Sequence, residues 1–139
     1  MNPYLNFDGK TEEAFNFYKS VFGGEFLAVH RMSEAPGTEN LPEDERNRIM
    51  HISLPVDEHT VLMASDIVPS MGHTLTEGNG VHISLAPSSR EEADKLFHGL
   101  SEGGKVEMPI GDTFWGAYFG SFKDRYGIYW MVNYQNQPQ

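Results

Sequence analysis

One pattern of helix and turn signals occurs twice along this chain, and the repeat restricts the possible folds more than any other feature. Glu12-Glu13-Ala14 precedes Gly23-Gly24 in the first half, and Glu91-Glu92-Ala93 precedes Gly103-Gly104 in the second half. Acidic residues favour the first turn of a helix, and glycine favours its end. Short alternating apolar runs lie before and after each pattern. The order strand, helix, strand, strand, strand is therefore predicted twice.

The predicted elements divide the chain into repeats at about 1–66 and 79–134, within a single domain that spans 1–139. Thr11 is predicted to cap the first helix, and Ser88-Ser89-Arg90-Glu91 forms a predicted capping box for the second helix. Strands are predicted at 4–7, 25–32, 49–56, 60–66, 81–85, 105–108, 114–122 and 128–134. The segments 33–48 and 67–79 are predicted loops, the first of them long, acidic and solvated, either a lid or a flexible surface segment.

Composition excludes several classes of function. The chain has no Cys, which excludes a disulfide framework, Cys-ligated zinc or iron–sulfur, and thiol catalysis. Its 10 basic and 20 acidic residues give a net charge of −10, which disfavours nucleic acid as a partner. Neither a signal peptide nor a membrane-spanning segment is recognisable. We therefore expect a soluble, cytoplasmic protein without nucleic-acid or membrane partners.

Strand alternation predicts which side chains would line a binding surface. One set of faces would pack under the helices, and it comprises Met50, Ile52, Leu54, Val81, Ile83, Leu85, Trp130 and Val132. The opposite faces would line a shared concavity, and they comprise His51, Ser53, His82, Ser84, Tyr129, Met131 and Asn133. A concave surface with aromatic and Met side chains and a few polar groups is typical of a small-molecule site.

The sequence resembles the vicinal-oxygen-chelate superfamily of glyoxalases, bleomycin-resistance proteins and dioxygenases, and more narrowly its PhnB-like branch. The segments that carry the resemblance are PYLNF at 3–7, AFNFYKSVFGG at 14–24, LMASD at 62–66, FWG at 114–116 and GIYWMVN at 127–133. The resemblance implies an α+β fold of two βαβββ modules that form a cupped half-barrel. It also implies a homodimer, and dimerisation would bury the exposed sheet edges.

The resemblance places metal-ligand positions near Asn2, at or near Met63, at His82 and at Met131. Only His82 is an ordinary ligand for a divalent metal, because amides bind weakly and thioethers suit soft metals. No cofactor is therefore expected, although a divalent metal remains possible through His82. The branch also contains proteins with methyltransferase-like names, but the glycine-rich nucleotide loop that this chemistry usually needs is absent.

The candidate ligand-binding residues are those of the predicted concavity and of one aromatic segment. They comprise His82, His51, Met63, Trp115, Tyr129 and Met131. Trp115 lies between Phe114 and Gly116 and is a candidate to stack on a flat ligand, whereas Trp130 is predicted to belong to the core. Asp66 and Asp124 are predicted to be turn and cap residues rather than catalytic acids.

Three functions are consistent with these residues. The first is a small-molecule-binding protein with a degenerate metal site. The second is a metal-dependent lyase, isomerase or transferase that uses His82 with displaced ligands such as His51 and a carboxylate, Glu77 or Asp66. The third is a protein whose concavity is filled by its own side chains and which acts through partners. Whether the chain is an enzyme, and which ligand or reaction it serves, are left open by the sequence.

Overall fold

The computed structural model describes residues 1–135, and the chain divides into two compact units. The first unit is Met1–Thr76 and the second is Glu77–Gln139. The last four residues of the predicted domain, 136–139, lie outside the described residues.

The first unit contains one sheet of four strands with one long helix. Its elements are β1 (Tyr4–Phe7), α1 (Thr11–Phe22), β2 (Ala28–Arg31), α2 (Glu43–Arg46), β3 (Ile49–Pro55) and β4 (Val61–Asp66). The spatial order is β1-β4-β3-β2, with β1 parallel to β4 and the other neighbours antiparallel. Short 3-10 turns follow β2 and β4, at Met32–Glu34 and Pro69–Met71.

The second unit repeats the same plan. Its elements are β5 (Ile83–Leu85), α3 (Arg90–Ser101), β6 (Lys105–Asp112), β7 (Ala117–Lys123) and β8 (Tyr129–Gln135). The spatial order is β5-β8-β7-β6, again with a parallel pair at one edge. The predicted α+β class with two βαβββ modules is therefore confirmed.

The registers of the two sheets correspond residue by residue around Met63 and Met131. In the first sheet Met63 lies opposite Ser53 on one side and Tyr4 on the other. In the second sheet Met131 lies opposite Ser121 and Ser84. The residues that follow, Ala64 and Val132, are fully buried. The two halves therefore correspond both in the order of their elements and at individual strand positions.

Each sheet buries one face against its helix. In the second unit α3 contacts β6, β7 and β8, and the buried side chains there include Phe97, Leu100, Phe122, Trp130 and Val132. In the first unit α1 contacts β3 and β4, and the buried side chains include Phe15, Tyr18, Ile52, Leu54 and Leu62. Removal of this apolar surface from water is the main term that stabilises each unit.

The structure corrects the predicted alternation in β3. Ile52 and Leu54 are buried as expected, but Met50 is exposed and Ile49 is buried in its place. The pairing of β2 with β3 shifts between His30 and Arg31, so that Met50 has no partner across the ladder. A bulge of this kind inserts one residue and reverses the alternation before it.

Several predicted boundaries are also wrong. The strand expected at 25–32 is only Ala28–Arg31, and those expected at 81–85 and 114–122 begin at Ile83 and Ala117. The predicted loop 33–48 contains α2 and part of a 3-10 turn. Val81, Phe114 and Trp115 looked strand-like because they are apolar, but all three are exposed and lie outside the strands.

Both predicted helix caps are shifted by one residue. Lys10, not Thr11, is the N-cap of α1, and the Thr11 hydroxyl donates to Asp66 instead. Ser89, not Ser88, caps α3, where its Oγ accepts from the N–H of Glu92. The Glu92 carboxylate accepts from the N–H of Ser88, the residue before this cap.

Candidate functional site: the non-helical face of the second sheet

The second sheet has one face that α3 does not cover, here called the non-helical face. Trp130 and Val132 point toward α3, so the alternate residues of β8 point the other way. Residues directly opposite each other in a sheet share a face. The non-helical face therefore comprises Ser84 of β5, Lys105, Met108 and Gly111 of β6, Phe119, Ser121 and Lys123 of β7, and Tyr129, Met131 and Asn133 of β8.

His82 lies at one end of this face, immediately before β5. Its Nε2 is 2.9 Å from Oε1 of Glu107, and its ring centroid is 5.2 Å from that of Tyr129. The imidazole is thus fixed by a carboxylate on one side and packed against a phenol ring on the other. Glu107 is therefore the polar partner of His82 in this structure.

The donors at the family's metal positions do not fit a divalent-metal centre. In the first unit Asn2 uses its Oδ1 to accept from the N–H of Val61, and Met63 offers only a thioether. In the second unit Met131 offers another thioether, and Nε2 of His82 already contacts Glu107. Within residues 1–135, no group of three or more His, Asp or Glu side chains could hold a metal ion.

A cleft of about 280 Å³ opens beside Tyr129, the first residue of β8. It is lined by Glu77, Gly78, Asn79, Lys123 and Tyr129. The ammonium of Lys123 lies 5.6 Å from the centre of the Tyr129 ring. The cleft therefore combines a cation, an aromatic ring, an amide and a carboxylate, which suits a small polar or charged group.

Aromatic side chains continue the site at the other end of the face. Phe119 lies opposite Asn133, and its ring is 6.0 Å from that of Trp115. Trp115 is 50% exposed and meets Phe114, which is 98% exposed, at 5.0 Å. Oδ1 of Asn133 is buried and has no hydrogen-bond partner within the described part of the chain. A buried acceptor without a donor is uncommon and favours a polar ligand or water as its missing partner.

The remaining predicted site residues, His51 and Met63, belong to the first unit. Nδ1 of His51 is 3.2 Å from the hydroxyl of Tyr4, and the two rings stack at 5.8 Å. Tyr4 also lies opposite Met63 in the sheet. The structure therefore brings His51, Met63 and Tyr4 to one face of the first sheet, and it brings His82, Tyr129 and Met131 to one face of the second.

Sequence reasoning missed Glu107, Lys123 and Phe119. Glu107 and Lys123 lie on neighbouring strands whose pairing depends on bulges within β6, and the sequence gives no clear signal for these bulges. Phe119 had a usable signal, because strand alternation places it on the same face as Ser121.

The structure confirms that Asp66 and Asp124 stabilise turns and helix ends. Oδ1 of Asp66 accepts from the N–H and hydroxyl of Thr11, and its Oδ2 accepts from the N–H of Ile49. Oδ1 of Asp124 accepts from the N–H groups of Tyr126 and Ile128, and its Oδ2 accepts from Nε1 of Trp130. Both carboxylates are buried and fully engaged in holding the fold.

Fold, repeat and site together define a protein of the vicinal-oxygen-chelate type. The chain belongs to the Glyoxalase/Bleomycin resistance protein/Dioxygenase superfamily, whose family model matches residues 1–132. Among residues 1–135, no helix has the length and apolar character needed to span a membrane.

Three relatives illustrate this membership. Protein YjdN of Escherichia coli K12 is 30% identical over 145 residues, which cover 99% of this chain and 96% of that protein. The crystal structure of protein PA1353 from Pseudomonas aeruginosa has a TM-score of 0.84 at 42% identity, covering 97% of this chain and 96% of that chain. The structure of the PhnB protein from Bacillus cereus has a TM-score of 0.77 at 28% identity, and the match covers 96% of this chain and 98% of that chain.

Proposed function

We propose that this chain is a small-molecule-binding protein of the glyoxalase/bleomycin-resistance type with a degenerate metal site. The proposal is carried by Met63 and Met131, which occupy corresponding positions in the two sheets. Each lies opposite a serine of the neighbouring strand, on the sheet face turned away from the helix. A thioether there provides a polarizable, adaptable apolar contact and only a weak ligand for divalent metals.

The half-buried side chains of β8 support the same proposal. Tyr129, Met131 and Asn133 are neither fully buried nor freely exposed, and the cleft at Lys123 and the rings of Phe119 and Trp115 lie at the two ends of their face. Apolar and aromatic groups with a few placed polar atoms are the usual lining of small-molecule sites. The candidate ligand-binding residues of the second unit are thus His82, Trp115, Tyr129 and Met131, and those of the first are His51 and Met63.

Native mass spectrometry with elemental analysis, with and without a chelator, tests the metal part of the proposal. We expect the mass of the protein without a bound divalent metal and no change with chelator. A stoichiometric metal that is lost together with His82→Gln would overturn the degenerate site. It would support the alternative, a metal-dependent lyase, isomerase or transferase that uses His82 with displaced ligands.

A ligand screen followed by tryptophan fluorescence tests the binding part. Trp115 is half exposed whereas Trp130 is 1% exposed, so a ligand on the non-helical face should perturb Trp115 selectively. We expect Trp115→Phe to abolish the fluorescence response while calorimetry still detects binding. Val81→Ala, at an exposed residue outside the strands, is the matched control. A broad screen in which no compound binds would contradict the proposal.

We also propose that the protein forms a homodimer. β2 and β6 are edge strands, and Val29, Val106 and Met108 on them are exposed. Exposed apolar edges of this kind favour pairing with another chain. One chain has a mass of 15.7 kDa, and sedimentation equilibrium should give twice that mass. A monomer at all concentrations would contradict the proposed homodimer.

A further inference from the structure

Two lysines lie opposite each other on neighbouring strands of the second sheet, and neither has an anionic partner among residues 1–135. Lys105 of β6 lies directly opposite Lys123 of β7. Neither forms an ion pair with a carboxylate of residues 1–135, although Lys123 lies over the Tyr129 ring. Like charges directly opposite each other destabilise a sheet. The pair is unusual in a chain with 20 acidic and 10 basic residues, where carboxylates are abundant.

The same face continues from these lysines into apolar and aromatic side chains. Beyond Lys123 along β7 come Ser121 and then Phe119, and Met131 of β8 lies opposite Ser121. Phe119 is four positions from Lys123 along β7, so their Cα atoms are about 13 Å apart at about 3.3 Å per residue. The face therefore offers two cations at one end, a thioether in the middle and an aromatic ring at the other end.

Nearby carboxylates limit how much negative charge the cationic end can accept. Glu107 is held by His82 at 2.9 Å, whereas Glu77 lines the same cleft as Lys123. A ligand with one negative charge gains from two ammonium groups and is opposed by one carboxylate. A second negative charge on the ligand would increase the repulsion from Glu77.

We propose that the non-helical face of the second sheet binds a monoanionic amphiphile. Its carboxylate would lie at Lys105 and Lys123, and its apolar or aromatic tail would extend past Met131 to Phe119. This inference deepens the proposed small-molecule function and depends on it, because it names the class of ligand: an aryl- or alkyl-substituted carboxylic acid about as long as the strip.

Isothermal titration with three probes of equal length tests the head-group preference. The probes are 4-phenylbutyrate, 4-phenylbutanol and 4-phenylbutylamine, which share a phenyl ring on a four-carbon chain and carry an anionic, a neutral and a cationic head group. We expect the carboxylate to bind about fivefold more tightly than the alcohol at low ionic strength and the amine to bind least. The preference should shrink at about 0.15 M salt, because both lysines are near the surface.

Variants that remove a lysine charge test whether the preference for the carboxylate over the alcohol depends on this sheet face. Lys123→Met and Lys105→Met should each bring the affinities for the carboxylate and the alcohol close together. Lys95→Met removes the same charge from an exposed site on α3 and should leave the preference intact. Phe119→Ala should weaken all three probes alike, because it shortens the apolar end without affecting the head group.

Three outcomes would overturn the inference. The first is equal affinity for the carboxylate and the alcohol in the unmodified protein, and the second is a preference that survives both lysine substitutions. The third is absence of 4-phenylbutyrate binding up to about 10 mM. In each case a neutral ligand from the fluorescence screen would still support the proposed function. Failure of the ligand-class inference is therefore distinguishable from failure of the small-molecule-binding proposal.

Discussion

Buried carboxylates in this protein hold the backbone in place and are therefore the residues most sensitive to small changes. Asp124 uses both oxygens, one for the N–H groups of its own turn and one for the indole N–H of Trp130. Asp66 joins the start of α1 to the start of β3 in the same manner. Because both oxygens of each carboxylate accept hydrogen bonds, replacing either side chain would leave buried donors without an acceptor.

Asp124→Asn is expected to destabilise the protein by about 1–3 kcal/mol. In one orientation the new NH₂ group would face the indole N–H of Trp130, and in the other it would face the N–H groups of Tyr126 and Ile128. At least one donor would therefore lose its acceptor. Urea unfolding should show a lower midpoint with an unchanged slope. Asp44→Asn, at an exposed position on α2, is the control and should stay within about 0.5 kcal/mol of the parent. Equal midpoints for the two variants would show that the Trp130 contact contributes little.

Met131→Glu is expected to raise the affinity for a divalent metal above that of the parent chain. The substitution places a carboxylate on the same face as His82, opposite Ser84 of the strand that His82 precedes. Imidazole and carboxylate together suit zinc and nickel far better than imidazole and thioether. Titration with Ni²⁺ should show tighter binding in Met131→Glu than in Met131→Leu. The gain should disappear in the double variant with His82→Gln, and persistence there would locate the metal elsewhere.

Short elements in the first unit depend on single side-chain contacts more than on helix propensity. α2 has only four residues, which is too short for a helix to be stable alone. Glu45 of α2 is buried and accepts from both the N–H and the hydroxyl of Ser70 in the 3-10 turn after β4. This contact joins the two segments, 33–48 and 67–79, that the sequence predicts to be loops.

Acidification is therefore expected to loosen α2. The hydrogen bond from the Ser70 hydroxyl lowers the pKa of Glu45 below its ordinary value of 4.5. A lowered pKa means that the charged form contributes stability above pH 4.5, and that this contribution is lost as the pH falls through the folded-state pKa. Glu45→Gln should reduce hydrogen-exchange protection of 43–46 at pH 7, and the difference from the parent should vanish in acid. Glu43→Gln, exposed on the same helix, should show no such difference.

Helix and strand positions show how far local sequence signals reach. The apolar stripes of α1 and α3 predicted both helices, because burial on one face has a strong 3.6-residue period. The caps were shifted by one residue because Thr11 and Ser88 are good capping residues by type. At Thr11 a tertiary contact overrides this preference. Asp66, far along the chain, takes the Thr11 hydroxyl. Similarly, the bulge at Met50 depends on β2 and is not visible in β3 alone.

Across the whole molecule, the duplicated βαβββ order was predictable and the site was predictable only in part. His82, Tyr129 and Met131 were found because strand alternation places them on one face. Glu107 and Lys105 were not found, because β6 shifts register twice between Val106 and Gly111. A one-residue slip moves a side chain to the other face, so sequence alternation alone cannot assign contacts across such a strand.

Net charge gives a prediction for the complete chain. At −10, the surplus of carboxylates repels itself, and this repulsion opposes the compact state. The attractive pairs that salt would also weaken, such as Arg31–Glu12 and Arg90–Asp112, are largely exposed and individually weak. Screening should therefore remove more repulsion than attraction. We expect NaCl at about 0.3 M to raise the Tm by about 2–5 °C above its value at low salt.

Three neutralising substitutions separate this charge effect from a general effect of salt. Glu39→Gln, Glu43→Gln and Asp44→Asn are exposed, lie close together in the sequence, and take part in no ion pair within residues 1–135. The triple variant should melt at a higher temperature than the parent at low salt and should respond less to NaCl. If NaCl lowered the Tm of the parent instead, the exposed ion pairs would outweigh the surplus charge. In that case Arg90→Gln, which breaks the Asp112 pair, would be the variant that loses its salt dependence.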